Sequence, residues 1–256
     1  MTISQHLLFL LCVAVAGYIQ NLTGFAFGLV LLGLVGLMGI APITDVANVV
    51  SVLTLVNAIV LFRTVRPQFE TRTLAPTLAA SLLGVIGGVL LLNWLSDNVV
   101  TVLSLLLGLT IIGCAAILAR DASALAQPSR TSSFVAFGAV SGLLGGLFST
   151  AGPPLVYHFY RQPLAPRAIR DALVAIFAAN AVLRLALMIP AARVSHEAVL
   201  LSLEAVPLVL LQTRWMARRP PALRPLTVKR MVCVLLALVG LGLALSSLRA
   251  MHLLGR

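Results

Sequence analysis

The sequence predicts an all-α polytopic membrane protein made of two inverted repeats, each a re-entrant helical hairpin followed by three transmembrane helices. Three observations predict it. The chain is too apolar for a water-soluble domain, two of its apolar runs are broken in the same way, and its arginines segregate to one side only if the broken runs double back.

The apolar excess comes first. Of 256 residues, 60% are hydrophobic and 10% charged, and the mean hydropathy is +1.08. Soluble domains carry about 25% charged residues, and a bilayer core of roughly 30 Å takes about 20 apolar residues per helix. Runs between breakers predict segments at 6–20, 25–40, 43–62, 73–93, 98–119, 134–148, 154–161, 168–190, 197–213 and 228–248. The net charge of +11 does not point to nucleic acid, because 17 of the 18 basic residues are Arg, mostly in short loops between apolar runs, where they encode orientation. Cys12, Cys114 and Cys233 each lie inside an apolar run without metal-ligand spacing and read as small core hydrophobes. Met1 to His6 contains no Lys or Arg, so the first run reads as retained rather than as a cleaved leader.

The breaks come next. His6 to Gly39 would measure about 50 Å as one helix, too long for a single span, and Asn21-Leu22-Thr23-Gly24 interrupts its middle. Ser133 to Arg161 is interrupted by Ser149-Thr150-Ala151-Gly152-Pro153-Pro154. After each break comes a span with an internal Asn (Asn57, Asn180) and an Arg soon after it (Arg63, Arg184), then spans carrying Pro76 or Pro207. The chain thus divides into a first repeat at 1–120, a linker at 121–132 and a second repeat at 133–256.

Charge decides how the breaks cross. If each broken run is one span, the loops split eight basic residues against nine. If each folds back, fourteen lie on one side and only Arg193, Arg249 and Arg256 on the other. The second count is a positive-inside signal. It places both termini and the loop at 191–196 outside the cytoplasm. Each repeat then holds an odd number of full spans, so the second is upside down relative to the first, and the hairpin tips approach near the midplane. That is an architecture of secondary transporters, and non-helical backbone at such depth lines a cavity or is buried in protein.

The chemistry is expected at the tips. New helices begin at about Phe25 and about Pro153, where unpaired N–H groups and the macrodipole favour an anion. Gln20, Asn21, Thr23, Ser149 and Thr150 offer neutral donors, and Gly24 and Gly152 allow close backbone approach. Asn57 and Asn180 either line the path or bond across helices. Asp45, Asn48, Arg170 and Asp171 read as solvated interface residues, and His158 as a satisfied polar residue. Gly84-x-x-Gly87-Gly88 reads as helix packing. Arg184 and Glu204 fall at matching depths, about 9–11 Å below the outer surface at 1.5 Å per residue, and are expected to pair. In the sharper version, Arg184 attracts the anion and Glu204 takes up a coupling proton.

The tip sequences resemble a known family. GYIQNLTGFAFGLVLL from Gly17 and SGLLGGLFSTAGPPLVYHF from Ser141 are similar to the two signatures of the TauE/SafE family of sulfite and organosulfonate exporters. Ala26 and Ala151 stand where that family often has Gly. The resemblance covers essentially the whole chain, and its residue carry-over runs from Gln20 to Gly28 and from Gly145 to Pro154. It implies export of sulfite, sulfoacetate or a related oxyanion across a bacterial inner membrane, with no cofactor, and is compatible with a homodimer. Three rivals remain. A membrane-embedded enzyme would need a carboxylate dyad or a His/Cys constellation, and Glu204 is the one firm acid inside the spans. A cation carrier would need several buried carboxylates. An assembly partner of a larger membrane complex would need no site at all.

Overall fold

The computed structural model describes residues 2–254 except 24, 65, 99, 120–124, 151, 192 and 219–224. These form ten helices, and among the described residues there is no strand: α1 (Ile3–Thr23), α2 (Phe27–Met38), α3 (Ile43–Thr64), α4 (Thr71–Asn98), α5 (Val100–Ala119), α6 (Thr131–Phe148), α7 (Gly152–Tyr160), α8 (Pro166–Met188), α9 (His196–Arg218) and α10 (Pro225–Leu254). Seven of them, α1, α3, α4, α6, α8, α9 and α10, are long and apolar enough to cross a membrane. The chain is a multi-pass membrane protein. Its outward surface agrees: Leu83, Leu90, Trp94, Leu203, Leu211, Trp215 and Leu238 are exposed large hydrophobes on the helices that would face lipid.

Several helices overrun the ends that breakers set. Helix α4 extends to Asn98 rather than 93, α9 to Arg218 rather than 213, and α10 spans Pro225–Leu254 rather than 228–248. Polar residues at a membrane surface can continue a helix into the headgroup layer, so hydropathy marks the apolar stretch and not the helix. The first break also sits later than the sequence suggested. Asn21, Leu22 and Thr23 are still helical, and Asn21 Nδ2 donates back to Gly17 O four residues earlier.

Contacts fix the direction of each helix. His6 bonds Glu204 and Gln212 Nε2 donates to Ala14 O, so α1 runs parallel to α9. Asn48 Nδ2 donates to Arg193 O and Thr213 Oγ1 to Asn57 Oδ1, so α3 is parallel to α9 as well. Helix α2 opposes α3, with Gly28 against Val50 and Gly36 against Ile43. It follows that α2 runs back against α1. In the second half the reversal is direct. His158 on α7 stacks on Phe137 near the start of α6 with ring centroids 4.4 Å apart, and Leu125 N donates to Arg161 O across the mouth of that hairpin.

Pairings recur when the chain is advanced by five helices. Helix α1 packs on α9 as α6 packs on α4, α3 on α9 as α8 on α4, and α1 on α2 as α6 on α7. One matching pair, α3 and α8, points opposite ways. Arg184 of α8 reaches Asn48 and Ser51 of α3, while Asp171 near the start of α8 meets Gln68 beyond the end of α3, so α3 and α8 are antiparallel. The closest seam is α4 on α6, where Gly84 and Gly88 interlock with Gly138, Gly142 and Gly146 at backbone contact. Small residues permit such approach where no hydrophobic force drives helices together. Hydrogen bonds also gather the arginine-bearing loops at one end of the bundle: Arg167 donates to Arg66 O, and Gln162 bonds Ser129.

Candidate functional site

The two hairpin tips meet. A Cβ built on Gly28 would lie 3.1 Å from Thr150 Cβ and 3.3 Å from Ser149 O, and one on Gly152 would lie 3.3 Å from Leu29 Cδ1. The starts of α2 and α7 therefore abut deep in the protein, and the two short helices lead away from that point. Neither turn is relaxed. Ala26 (φ 78°) and Ser149 (φ 53°) both adopt the left-handed conformation without being glycine, which costs roughly 1–2 kcal/mol per residue. Strain of this kind persists where the surroundings over-determine it.

Beside the second tip lies Arg184, 1% exposed. Its Nε donates to Gly146 O at 3.0 Å, and its Nη1 to Asn48 Oδ1 at 2.7 Å and Ser51 Oγ at 3.2 Å. Ser51 in turn bonds Ser149, Oγ to Oγ, at 2.6 Å. Nη2 is buried and has no hydrogen-bond partner among the described residues. Arg184 thus ties α8 to the C-terminal end of α6 and to α3, and still holds donors in reserve.

Glu204 is elsewhere. It pairs with His6 at 2.8 Å on the α1–α9 surface, with side chains 31% (His6) and 38% (Glu204) exposed. The expected Arg184–Glu204 pair does not form, because Arg184 turns inward to α3 and α6 while Glu204 turns to α1. A half-exposed pair contributes about 1 kcal/mol or less. Glu204→Gln should therefore shift the melting temperature little and leave transport intact; a lost flux would restore Glu204 to the mechanism.

The remaining predicted residues divide. Gln20 Oε1 accepts from Phe27 N at 3.1 Å, so this side chain caps α2 across the break rather than standing free. Asn57 lines a small pocket of about 10 Å³ with Gln20, Asn21, Thr54 and Thr213, room for about one water. Asn180 does not line it: its amide and the Ser81 hydroxyl bond each other, at 2.7 and 3.0 Å, joining α8 to α4. Ser149 is the C-cap of α6 and is engaged by Ser51, whereas Thr150 is buried against Gly28. Phe25 is buried at the turn and Gly152 opens α7. Gly24 lies outside the described residues, as do the side chains of Thr23 and Pro153.

Asn48 and Asp171, read as solvated, are 2% and 1% exposed. His158 is buried with Nε2 unpartnered, packed among Phe134, Phe137 and Phe159. Sequence reasoning missed Asn48 and Ser51 as members of the site; Gly146 fell inside the stretch the family resemblance covered. A signal for both was present: Asn48, Ser51, Thr54 and Asn57 form a polar residue every third position in an otherwise apolar span.

Residues 9–243, which include every element of this centre, match the family described as sulfite exporter TauE/SafE. The chain belongs to the TauE/SafE family. A probable sulfite/organosulfonate exporter TauE of Cupriavidus necator is 34% identical over 233 residues, covering 91% of this chain and 91% of that protein. No solved structure matches the chain. In this TauE/SafE member the left-handed turn before α2 falls on Ala26, so the backbone holds its shape here without a glycine to relax it.

Proposed function

We propose that this protein is a secondary transporter that exports a small sulfur oxyanion, sulfite, sulfoacetate or a related organosulfonate, across the bacterial inner membrane. The anion binds between the two hairpin tips, where the starts of α2 and α7 converge beside Arg184. The observation that carries this reading is the meeting of those tips around a buried arginine with an unused Nη2. A charge with free donors at such depth is costly unless something answers it, and an oxyanion answers both the charge and the donors. Family membership and the name of the Cupriavidus relative supply the sulfur chemistry.

Alternating access fits the same frame. The two units act as inverted repeats, supported by pairings that recur after five helices with reversed direction. Transport exchanges the exposure of the tips between the two sides. Both termini face the periplasm, and the arginine-bearing end faces the cytoplasm.

Two measurements test this. Purified protein should melt higher in saturating sulfite or a simple sulfonate than in acetate, by RT ln(1 + [L]/Kd) in free energy. Equal melting in every anion would overturn the substrate class. For orientation, Ala191→Cys and Gln127→Cys, each exposed, are introduced after Cys12, Cys114 and Cys233 are changed to Ala. An impermeant maleimide should reach position 191 in intact cells and position 127 only after permeabilisation. Labelling of both from one face would reject the hairpin topology.

A further inference from the structure

We infer that the tip site selects a singly charged oxyanion head, R–SO₃⁻ or hydrogensulfite, over a dianion such as sulfate; this rests on the site proposed above. The argument is a charge balance. Arg184 is the cation of the site, and the side chains it touches, Asn48 and Ser51, are neutral. Neighbouring carboxylates are committed elsewhere: Asp45 hydrogen-bonds Ser195 at one end of α3 and α8, and Asp171 holds Arg170 and the Gln68 amide at the other. Helix α6 carries no charged residue.

Helix dipoles do not change the count. Each N-terminus contributes about half a positive charge. However, each hairpin also brings a C-terminus to the same tip, α1 ending at Thr23 beside α2 and α6 ending at Phe148 beside α7. Half-charges of opposite sign therefore cancel within each hairpin. The Gly146 carbonyl of α6 and the Phe27 N–H of α2 are moreover already bonded, to Arg184 and Gln20. What remains is the guanidinium, +1, with two N–H groups on Nη2 left over from its five donors.

One negative charge neutralises that centre and accepts from Nη2. A second negative charge on the same head would remain uncompensated among Leu29, Val50, Phe148 and Leu155, all buried. An unpaired ion in such surroundings is strongly disfavoured.

The test compares ligands on the intact wild-type protein in nanodiscs at constant ionic strength, reading affinity from thermal stabilisation. Methanesulfonate should bind about a hundredfold more tightly than sulfate, given the penalty on an unpaired buried charge. Sulfite should lose affinity about tenfold per pH unit above its second ionisation, because only the hydrogensulfite fraction is competent. Methanesulfonate, singly charged throughout, should stay flat over the same interval. If sulfate binds as tightly as methanesulfonate, or sulfite affinity ignores pH, charge selection is wrong while the site stands. If no sulfur oxyanion binds at any pH, the site itself is wrong and this inference falls with it.

Discussion

Arg184→Gln is expected to abolish transport, by about a hundredfold or more, while leaving the ligand-free protein no less stable than wild type. The two halves of that result come from opposite signs in one ledger. The substitution removes hydrogen bonds to Gly146 O, Asn48 and Ser51, each contributing about 1.5–3 kcal/mol because the donor is charged, and glutamine can restore one of them. It also removes a buried cation that forms no ion pair among the described residues, and lifting that burden returns several kcal/mol. The two terms are of similar size and nearly cancel. A buried charge that adds so little to the empty protein and keeps an unpartnered Nη2 points to a ligand that completes it. The check is a melt of both proteins without ligand, alongside anion flux into proteoliposomes. A purely structural clamp predicts the reverse pattern: a lower melting temperature, with residual flux proportional to the protein that survives.

The second large effect lies in the α4–α6 seam, and it separates neighbours. Gly142→Ala and Gly88→Ala should each cost about 3 kcal/mol or more and largely remove folded protein from the membrane, whereas Gly87→Ala should be tolerated. A Cβ on Gly142 would overlap the Ser81 carbonyl, and one on Gly88 would overlap the Leu143 carbonyl. These obstacles are backbone, so no rotamer change relieves them, and overpacking of this kind ordinarily costs 1–3 kcal/mol or more. At Gly87 the nearest foreign atom would be Leu143 Cδ1 at 3.8 Å, an ordinary contact. Gly113, with nothing within 4 Å, serves as a control in which alanine gains helix propensity, up to about 1 kcal/mol. Equal loss at positions 87 and 88 would mean that the seam tolerates small residues by composition rather than by registry. The seam bears on function because α6 is the entering arm of the second hairpin. Its registry against α4 sets the height at which Ser149 and Gly146 meet Ser51 and Arg184.

The sequence by itself determined the membrane class, the two breaks and the identity of the tip residues. Each of these rests on a local property: apolar run length, a Gly/Pro/Ser cluster inside a run that cannot stop there, or a short stretch resembling a family signature. It also pointed to Arg184, because an arginine six residues before Pro190 stands out in an apolar span. The partners of that arginine were not legible. Depth alone paired it with Glu204, since spacing along a helix gives height but not azimuth, and Glu204 proves to face His6 across the α1–α9 surface. The acceptors Asn48, Ser51 and Gly146 come from positions 133 to 136 residues earlier and, for Gly146, 38 earlier. Gln20 offered a donor in the sequence and acts as an acceptor in the fold, because the left-handed turn at Ala26 brings Phe27 N back toward it. Asn57 and Asn180 occupy similar places in their spans, yet one borders a cavity and the other is consumed by Ser81. Which polar group is spent on packing and which is left for a ligand is decided by the face each helix turns to its neighbours. That rotation is set only when all ten helices pack together.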